Sequence, residues 1–295
     1  MDYVNCNLCP RRCGVDRTAG QRGFCGCPDT ALVAKAMLHK WEEPVLAGAG
    51  GSGAVFFGGC TLRCRYCQNA AISGGAVGKA TDSAGLRQLF EDLIARGAEN
   101  IDLVTPTHFL PTILPALRPK LPVPVVYNCG GYERVETLRA LEDRVDIYLP
   151  DLKYADGDLA GALSGAPDYF PVACDAIREM FRQTGRPVYD EDGIMQRGVI
   201  VRHLALPGHV ADSRAVLQRL AALRAETGVE FIPSLMSQFT PFYKAAEHGL
   251  GRRITTYEYR QVIDEAVRLG LTDGYMQEKS SAREEYTPPF DLEGV

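Results

Sequence analysis

No run of this sequence is long and apolar enough to cross a bilayer, and its opening Met-Asp-Tyr-Val-Asn-Cys has neither the basic stretch nor the apolar core of a secretion signal. A cytoplasmic protein with no membrane partner is the expectation. There is no excess of positive charge either: the net charge of −5 argues against nonspecific nucleic-acid binding, so no nucleic-acid partner is expected. Internal repeats and low-complexity tracts are missing as well, and neither a disordered nor a fibrous class fits. The glycine-rich run Ala47-Gly48-Ala49-Gly50-Gly51-Ser52-Gly53 lacks the Gly-Lys-Ser/Thr ending of a phosphate cradle and precedes a strand, so it reads as a linker.

What is present is globular. With 295 residues, 46% hydrophobic and 23% charged, the chain is long enough for one large α/β domain with a small appendage. Its ten cysteines would stay reduced in the cytoplasm, so clustered spacings point to metal rather than disulfides.

The most telling cluster is Gly58-Gly59-Cys60-Thr61-Leu62-Arg63-Cys64-Arg65-Tyr66-Cys67. Its thiolates can converge from one tight loop on one metal centre, as iron–sulfur ligation requires. A structural zinc or a closed cubane takes four protein ligands. With no His, Asp or further Cys nearby, this loop leaves one coordination position free. The alternative is a zinc knuckle borrowing a distant ligand such as Cys129. The apolar run Ala54-Val55-Phe56-Phe57 reads as a buried strand, which puts the loop at a strand's carboxyl end, where α/β folds build their sites.

A second concentration lies near the start: Cys6, Cys9, Cys13, Cys25 and Cys27. The first four supply enough thiolates for a second metal centre, with Cys27 as a spare, and the spacing fits both an iron–sulfur cluster and structural zinc. Idle thiols are the alternative reading. Residues 1–46 are therefore read as a Cys-rich metal-binding segment and linker, and residues 47–295 as the main domain with a C-terminal extension. Between them, Ala31 to Glu43 fits an amphipathic helix and an extended segment equally.

From residue 54 onward apolar strands alternate with helical patterns, the mark of a parallel sheet with crossover helices. Strand signals at 54, 101, 123, 145, 199 and 229 make six βα units, too few to close an eight-stranded barrel. The expected fold class is α/β, an open six-stranded (β/α)6 partial TIM barrel with a small Cys-rich N-terminal metal-binding segment. Right-handed crossovers bring every carboxyl-end loop to one mouth, facing the cysteine loop. The Pro-rich tail is expected to pack as an extended segment or fray.

The Cys-x3-Cys-x2-Cys spacing, with Tyr66 before the last cysteine, resembles the signature of radical S-adenosylmethionine (radical SAM) enzymes. Further motifs narrow the likeness: Cys-x2-Cys-Pro-Arg-x-Cys-x-Val-x-Arg, Val-Thr-Pro-Thr-His, Ile-Tyr-Leu-Pro-Asp-Leu-Lys-Tyr and Val-Arg-His-Leu-x-Leu-Pro-Gly. Over nearly its whole length the chain is similar to the pyruvate formate-lyase activating enzyme-like branch. The resemblance implies a 4Fe-4S cluster on Cys60, Cys64 and Cys67 whose uncovered iron binds the amino and carboxylate groups of S-adenosylmethionine. It implies reductive cleavage to a 5′-deoxyadenosyl radical that abstracts hydrogen, driven by a flavodoxin- or ferredoxin-type reductant.

It also assigns residues at the mouth. Tyr66 stands beside the cofactor. Where such enzymes carry Gly-Gly-Glu this chain has Thr105-Pro106-Thr107-His108, so Thr105 and Thr107 would accept from the ammonium, unless the stretch is a plain turn. The family's Asn-Thr-Asn-Gly stands as Asn128-Cys129-Gly130-Gly131, leaving Asn128 for a ribose hydroxyl and Gly130 for close backbone approach. Asp151 and Lys153 share a face and either meet the cofactor or brace the interior as an ion pair. Of Arg202 and His203 only one can face the cavity, and the resemblance favours His203. Gln238 and Tyr243 follow the sixth strand as substrate contacts. Cys174 reads as core and Asp190-Glu191-Asp192 as a solvated turn.

The reading is a radical SAM oxidoreductase that activates a glycyl radical enzyme or acts on another protein, peptide or small metabolite, with a protein or peptide segment favoured. The stretch Gln68 to Thr81 has no cysteines, so the ferredoxin-like insertion of many glycyl-radical activases is missing. The rival outside the class is a non-enzymatic iron–sulfur electron carrier or redox sensor.

Overall fold

In the computed structural model of the chain, residues 1–276, 290–292 and 294–295 are described, so most of the Pro-rich tail, expected to be extended or frayed, lies outside the described residues. The strands are β1 Ala31–His39, β2 Ser52–Phe57, β3 Lys79–Thr81, β4 Ile101–Val104, β5 Val125–Cys129, β6 Ile147–Pro150, β7 Val188–Tyr189, β8 Met195–Leu204, β9 Ile232–Met236 and β10 Tyr275–Met276. The helices are α1 Pro44–Ala47, α2 Ala70–Ser73, α3 Ser83–Ala95, α4 Leu110–Ala116, α5 Val135–Arg139, α6 Gly157–Ser164, α7 Tyr169–Thr184, α8 Val210–Thr227 and α9 Thr256–Arg268. Among the described residues no helix is long and apolar enough to cross a membrane.

Among the described residues the fold is mixed α/β around one ten-stranded sheet in the order β10-β9-β8-β6-β5-β4-β2-β1-β3, with β7 paired to β8. The six expected strands are β2, β4, β5, β6, β8 and β9, and each pairs parallel with its neighbour. The sheet is larger than the strand count suggested. Ala31–His39, open between helix and extension, is a strand antiparallel to β2, and β3 continues that edge; at the other end β10 adds two parallel residues.

Period-two alternation divides the sheet into two faces. Val55, Phe57, Leu103, Val125, Tyr127, Tyr148, Val199, Val201 and Leu235 belong to the large core built with the helices. Ala54 and Phe56, and separately Val126, Ile147, Leu149 and Ile200, point to the opposite face, where the apolar clusters are small. Polar side chains share that second face: Asp102, Asn128, Arg202 and Ser234 alternate with helix-facing neighbours along β4, β5, β8 and β9.

Helix starts follow local chemistry. Asp82 caps α3 by accepting from Gly85 N at 2.8 Å, Asp156 caps α6 through Leu159 N, and Thr255 with Glu258 forms a reciprocal capping box on α9. The expected turn at Asp190 joins β7 to β8, with its carboxylate accepting from Asp192 N and Ile194 N.

Gly131 fixes how two of the carboxyl-end loops approach each other. Its φ is +79°, and an added Cβ would fall 2.1 Å from the Asp151 carbonyl oxygen beyond β6. Left-handed strain and the clash each cost about 1–3 kcal/mol. Gly131→Ala should therefore lower the melting temperature well below that of Gly185→Ala, where φ is +67° but nothing lies within 4 Å of the added Cβ. Equal melting temperatures for the two variants would contradict this account.

Candidate metal centre and adjoining cavity

The loop after β2 is held from behind. Gly59 has φ +80°, and an added Cβ would lie 2.1 Å from Cys27 Sγ, so glycine is what lets the N-terminal segment pack against it. His108 Nε2 bonds Gly58 O at 2.7 Å, Gly59 N donates to Ile72 O at 2.8 Å, and Arg11 Nε donates to Thr61 O at 2.9 Å. Held this way, the loop turns Cys60, Cys64 and Cys67 into one cavity of about 220 Å³ at the carboxyl ends of the parallel strands. Leu62 N donates to Cys60 Sγ at 3.3 Å and Ser164 Oγ to Cys64 Sγ at 3.0 Å, as amides and hydroxyls do around metal-bound thiolates.

Burial pushes the Cys60 thiol up, with repulsion from Cys64 adding to it, and pushes Cys67 up to about 12, with Cys64 and Cys60 adding. Three thiolates crowded this way need positive charge among them, and a soft donor set of this kind fits iron and sulfide. Among the described residues no three Cys, His, Asp or Glu side chains stand close enough to grip one metal ion. Cys129, the distant fourth ligand a knuckle would borrow, lines the same cavity, but its thiol lies against the Glu133 carboxyl.

Most residues expected at the mouth are there. Tyr66, 7% exposed, packs edge-on to Tyr154 and Phe239, and its hydroxyl accepts from Tyr154 at 2.7 Å. Thr105, at φ +60°, and Thr107 both line the cavity; Thr107 Oγ1 donates to Glu133 at 2.9 Å and accepts from Tyr127. Gly130 lines the wall and its carbonyl accepts from Tyr169. Gln238 lines it too, whereas Tyr243 is 59% exposed and does not; Phe242 takes that place. Cys174 is buried on α7, as a core residue.

Asp151 and Lys153 form the expected ion pair at 2.6 Å, and both line the cavity. Burial works against the Lys153 ammonium, but Asp151, then Tyr66 and Cys64, more than offset it, so its pKa is raised. Burial likewise opposes the Asp151 charge, and Lys153 and Arg202 overcome it, so that carboxyl is lowered.

His203 is a correction. It shares the parity of Val199 and Val201, faces the helices, and bonds Leu152 O at 2.7 Å and Ser213 Oγ at 2.9 Å; burial pushes it down to about 4, so it is a neutral core histidine. Arg202 faces the cavity instead. Its guanidinium donates to Asp151 at 2.9 Å, to Glu42 at 3.3 Å and to Asn128 Oδ1 at 2.7 Å, while Asn128 Nδ2 donates to Asp102 at 3.2 Å. Asn128 is thus committed to this network as well as to the cavity wall.

Glu133 was missed. It is 2% exposed, lines the cavity, and burial pushes its carboxyl up to about 8 against the hydroxyls of Thr107 and Tyr127 and the Cys129 thiol. Its signal in the sequence was slight: one acid three residues past Asn-Cys-Gly, in a segment read as linking strand to helix.

Residues 46–109, from α1 to Phe109, match the family of 4Fe-4S single cluster domains, and the three cavity cysteines fall inside the match. The chain is 28% identical over 279 residues to an uncharacterized protein of Methanocaldococcus jannaschii, covering 91% of this chain and 76% of that protein. Among solved structures, methylornithine synthase aligns with a TM-score of 0.48 and 14% identity over 72% of this chain. The alignment spans 59% of that structure, less than two thirds of its length, and is too slight to bear on fold or activity.

Raised thiols must lose protons to bind iron, so loading is favoured by base. Anaerobic reconstitution should proceed faster and further at about pH 8.5 than at about pH 6.5. Iron incorporation independent of pH would contradict the burial of Cys60 and Cys67.

Proposed function

We infer that the chain is a radical SAM enzyme working in the cytoplasm on an open partial barrel. The observation that carries this reading is a single cavity lined at once by three thiols of one loop, an ammonium at Lys153 and a carboxyl at Glu133. Three thiols leave a cluster one open coordination position; the Lys153 ammonium suits the carboxylate end of an α-amino acid, and the buried Glu133 carboxyl, which an arriving ammonium would ionise, suits the amino end. The 4Fe-4S match over residues 46–109 supports the cluster. When bound, the cluster supplies the electron that cleaves S-adenosylmethionine to methionine and a 5′-deoxyadenosyl radical for hydrogen abstraction.

The chain's own residues do the rest. Lys153, held by Asp151, neutralises the methionine carboxylate. Glu133 takes the ammonium that the absent Gly-Gly-Glu acid would take, with Thr107 fixing its carboxyl and Thr105 beside it. Gly130 leaves room for close approach, and Tyr66 and Phe239 close an apolar wall that keeps water from the radical. We read the hydrogen donor as a protein or peptide segment and the electron donor as a flavodoxin- or ferredoxin-type protein. Activation of a glycyl radical enzyme follows from the sequence resemblance, and a glycine-centred doublet in electron paramagnetic resonance with a candidate partner tests it.

Anaerobically reconstituted protein with dithionite should release methionine and 5′-deoxyadenosine, and Cys60→Ala, Cys64→Ala or Cys67→Ala should each abolish release. Cleavage that survives all three replacements together would sink the reading. Glu133→Gln should weaken S-adenosylmethionine binding roughly tenfold to a hundredfold, as loss of a charge-assisted hydrogen bond does, with iron content retained; unchanged affinity would remove Glu133 from the ammonium site.

A further inference from the structure

We propose that Cys6, Cys9, Cys13 and Cys25 hold a second iron–sulfur cluster, through which an electron enters on its way to the Cys60 loop. The inference stands on residues outside the cavity and goes beyond the activity proposed above.

The segment is folded to present these thiols. Cys6 N donates to Val15 O at 3.0 Å, Gly14 N to Cys6 O at 3.0 Å and Arg12 N to Cys9 O at 3.1 Å, closing the first three cysteines into one compact turn. Phe24 N donates to Cys13 Sγ at 3.2 Å, and an added Cβ on Gly23 would lie 2.9 Å from that sulfur, so Cys13 is pressed against the stretch that carries Cys25. No disulfide joins any of them. The segment has no helix or strand before β1: Tyr3, Cys6 and Leu8 with Val15 form a separate small apolar cluster, and Cys25 and Cys27 pack into the main core.

Charge gives an independent argument. Arg17 is 1% exposed and donates to the carbonyls of Pro28 and His108, with a guanidinium nitrogen 3.9 Å from Cys6 Sγ. Arg11 donates to the carbonyls of Thr61 and Ser164 and stacks over Phe24, and Arg63 also lies over Phe24. Among the described residues none of these three guanidiniums pairs with a carboxylate. Of the three only Arg17 is fully buried, and a buried cation calls for a counter-charge, which a metal centre ligated by four thiolates, a net anion, supplies.

Four thiolates suit both iron–sulfur and zinc. The relay separates them: zinc has no redox chemistry and cannot take up or pass on an electron, and the Cys60 loop of the same chain falls within a 4Fe-4S match.

Placement gives the centre its role. On one side Arg12 and Thr18 to Gln21 are exposed; on the other Cys27 Sγ lies 3.4 Å from Gly58 O, against the loop of the first cluster. One electron from a reduced carrier protein reduces the N-terminal cluster and passes on to the cavity cluster, leaving the first oxidised again; no bond or proton changes.

Iron and sulfide analysis of the reconstituted protein decides the first point: about eight of each per chain for two cubanes, about four for one. The Cys60→Ala/Cys64→Ala/Cys67→Ala variant should keep about four irons and a reduced-cluster resonance, and Cys9→Ala/Cys13→Ala should bring the native count from about eight to about four. A native count of about four, or zinc in place of iron in the triple variant, overturns the site even if the variants fold poorly. For the relay, the ratio of S-adenosylmethionine cleavage driven by reduced flavodoxin to that driven by dithionite should fall at least tenfold in Cys9→Ala/Cys13→Ala. An unchanged ratio refutes the relay. Failure of the activity reading would appear separately, as no cleavage with either reductant at full iron content.

Discussion

A guanidinium taken out of water has to be neutralised where it sits, and Arg202 meets that demand by drawing four segments together. It reaches Asp151 beyond β6, Asn128 on β5 and Glu42 after β1 from its own place on β8. Because Asp151 also holds Lys153, this one cation sets the charge of the cavity floor and the position of the ammonium above it. Beneath it, burial and then the nearby Glu42 charge raise the Asp102 carboxyl well above its usual range, so the floor is not flooded with negative charge. Glu43 is raised in the same way, chiefly by burial, and its carboxylate oxygen accepts from Ser234 at 2.6 Å.

The cysteine loop depends on the floor in front and on the N-terminal segment behind. Arg11, Arg17 and Cys27 fasten that segment to the loop and to His108, while Thr137 donates to Leu8 O and Arg134 to Asn7 O from the far side of the mouth. The segment therefore reads less as an appendage than as the back wall of the site.

Much of this was legible in the sequence because it rests on local rules. The cysteine spacing and the six apolar strands each declare themselves within a dozen residues. Strand edges drifted by two or three positions: β9 runs through Pro233 rather than ending there. The harder question was parity. On β8 both faces are apolar, Val199 and Val201 against Ile200, so alternation says that Arg202 and His203 oppose each other but not which one faces inward. Only the parallel bridge between Asp151 and Arg202 decides it. β1 and Glu133 escaped for a related reason, since what defines them is a partner distant in sequence.

The two ends of the sheet bear on how the chain behaves in a crowded solution. An open sheet presents unpaired amides and carbonyls to any extended peptide, and long flat edges recruit other chains into fibres. Among the described residues the rims are β3, three residues beginning with an exposed Lys79, and the Tyr275–Met276 pair of β10. The β3 rim offers a foreign strand only about three rungs, too few to nucleate a ladder. At that end the sheet can stay open without becoming a template for polymerisation.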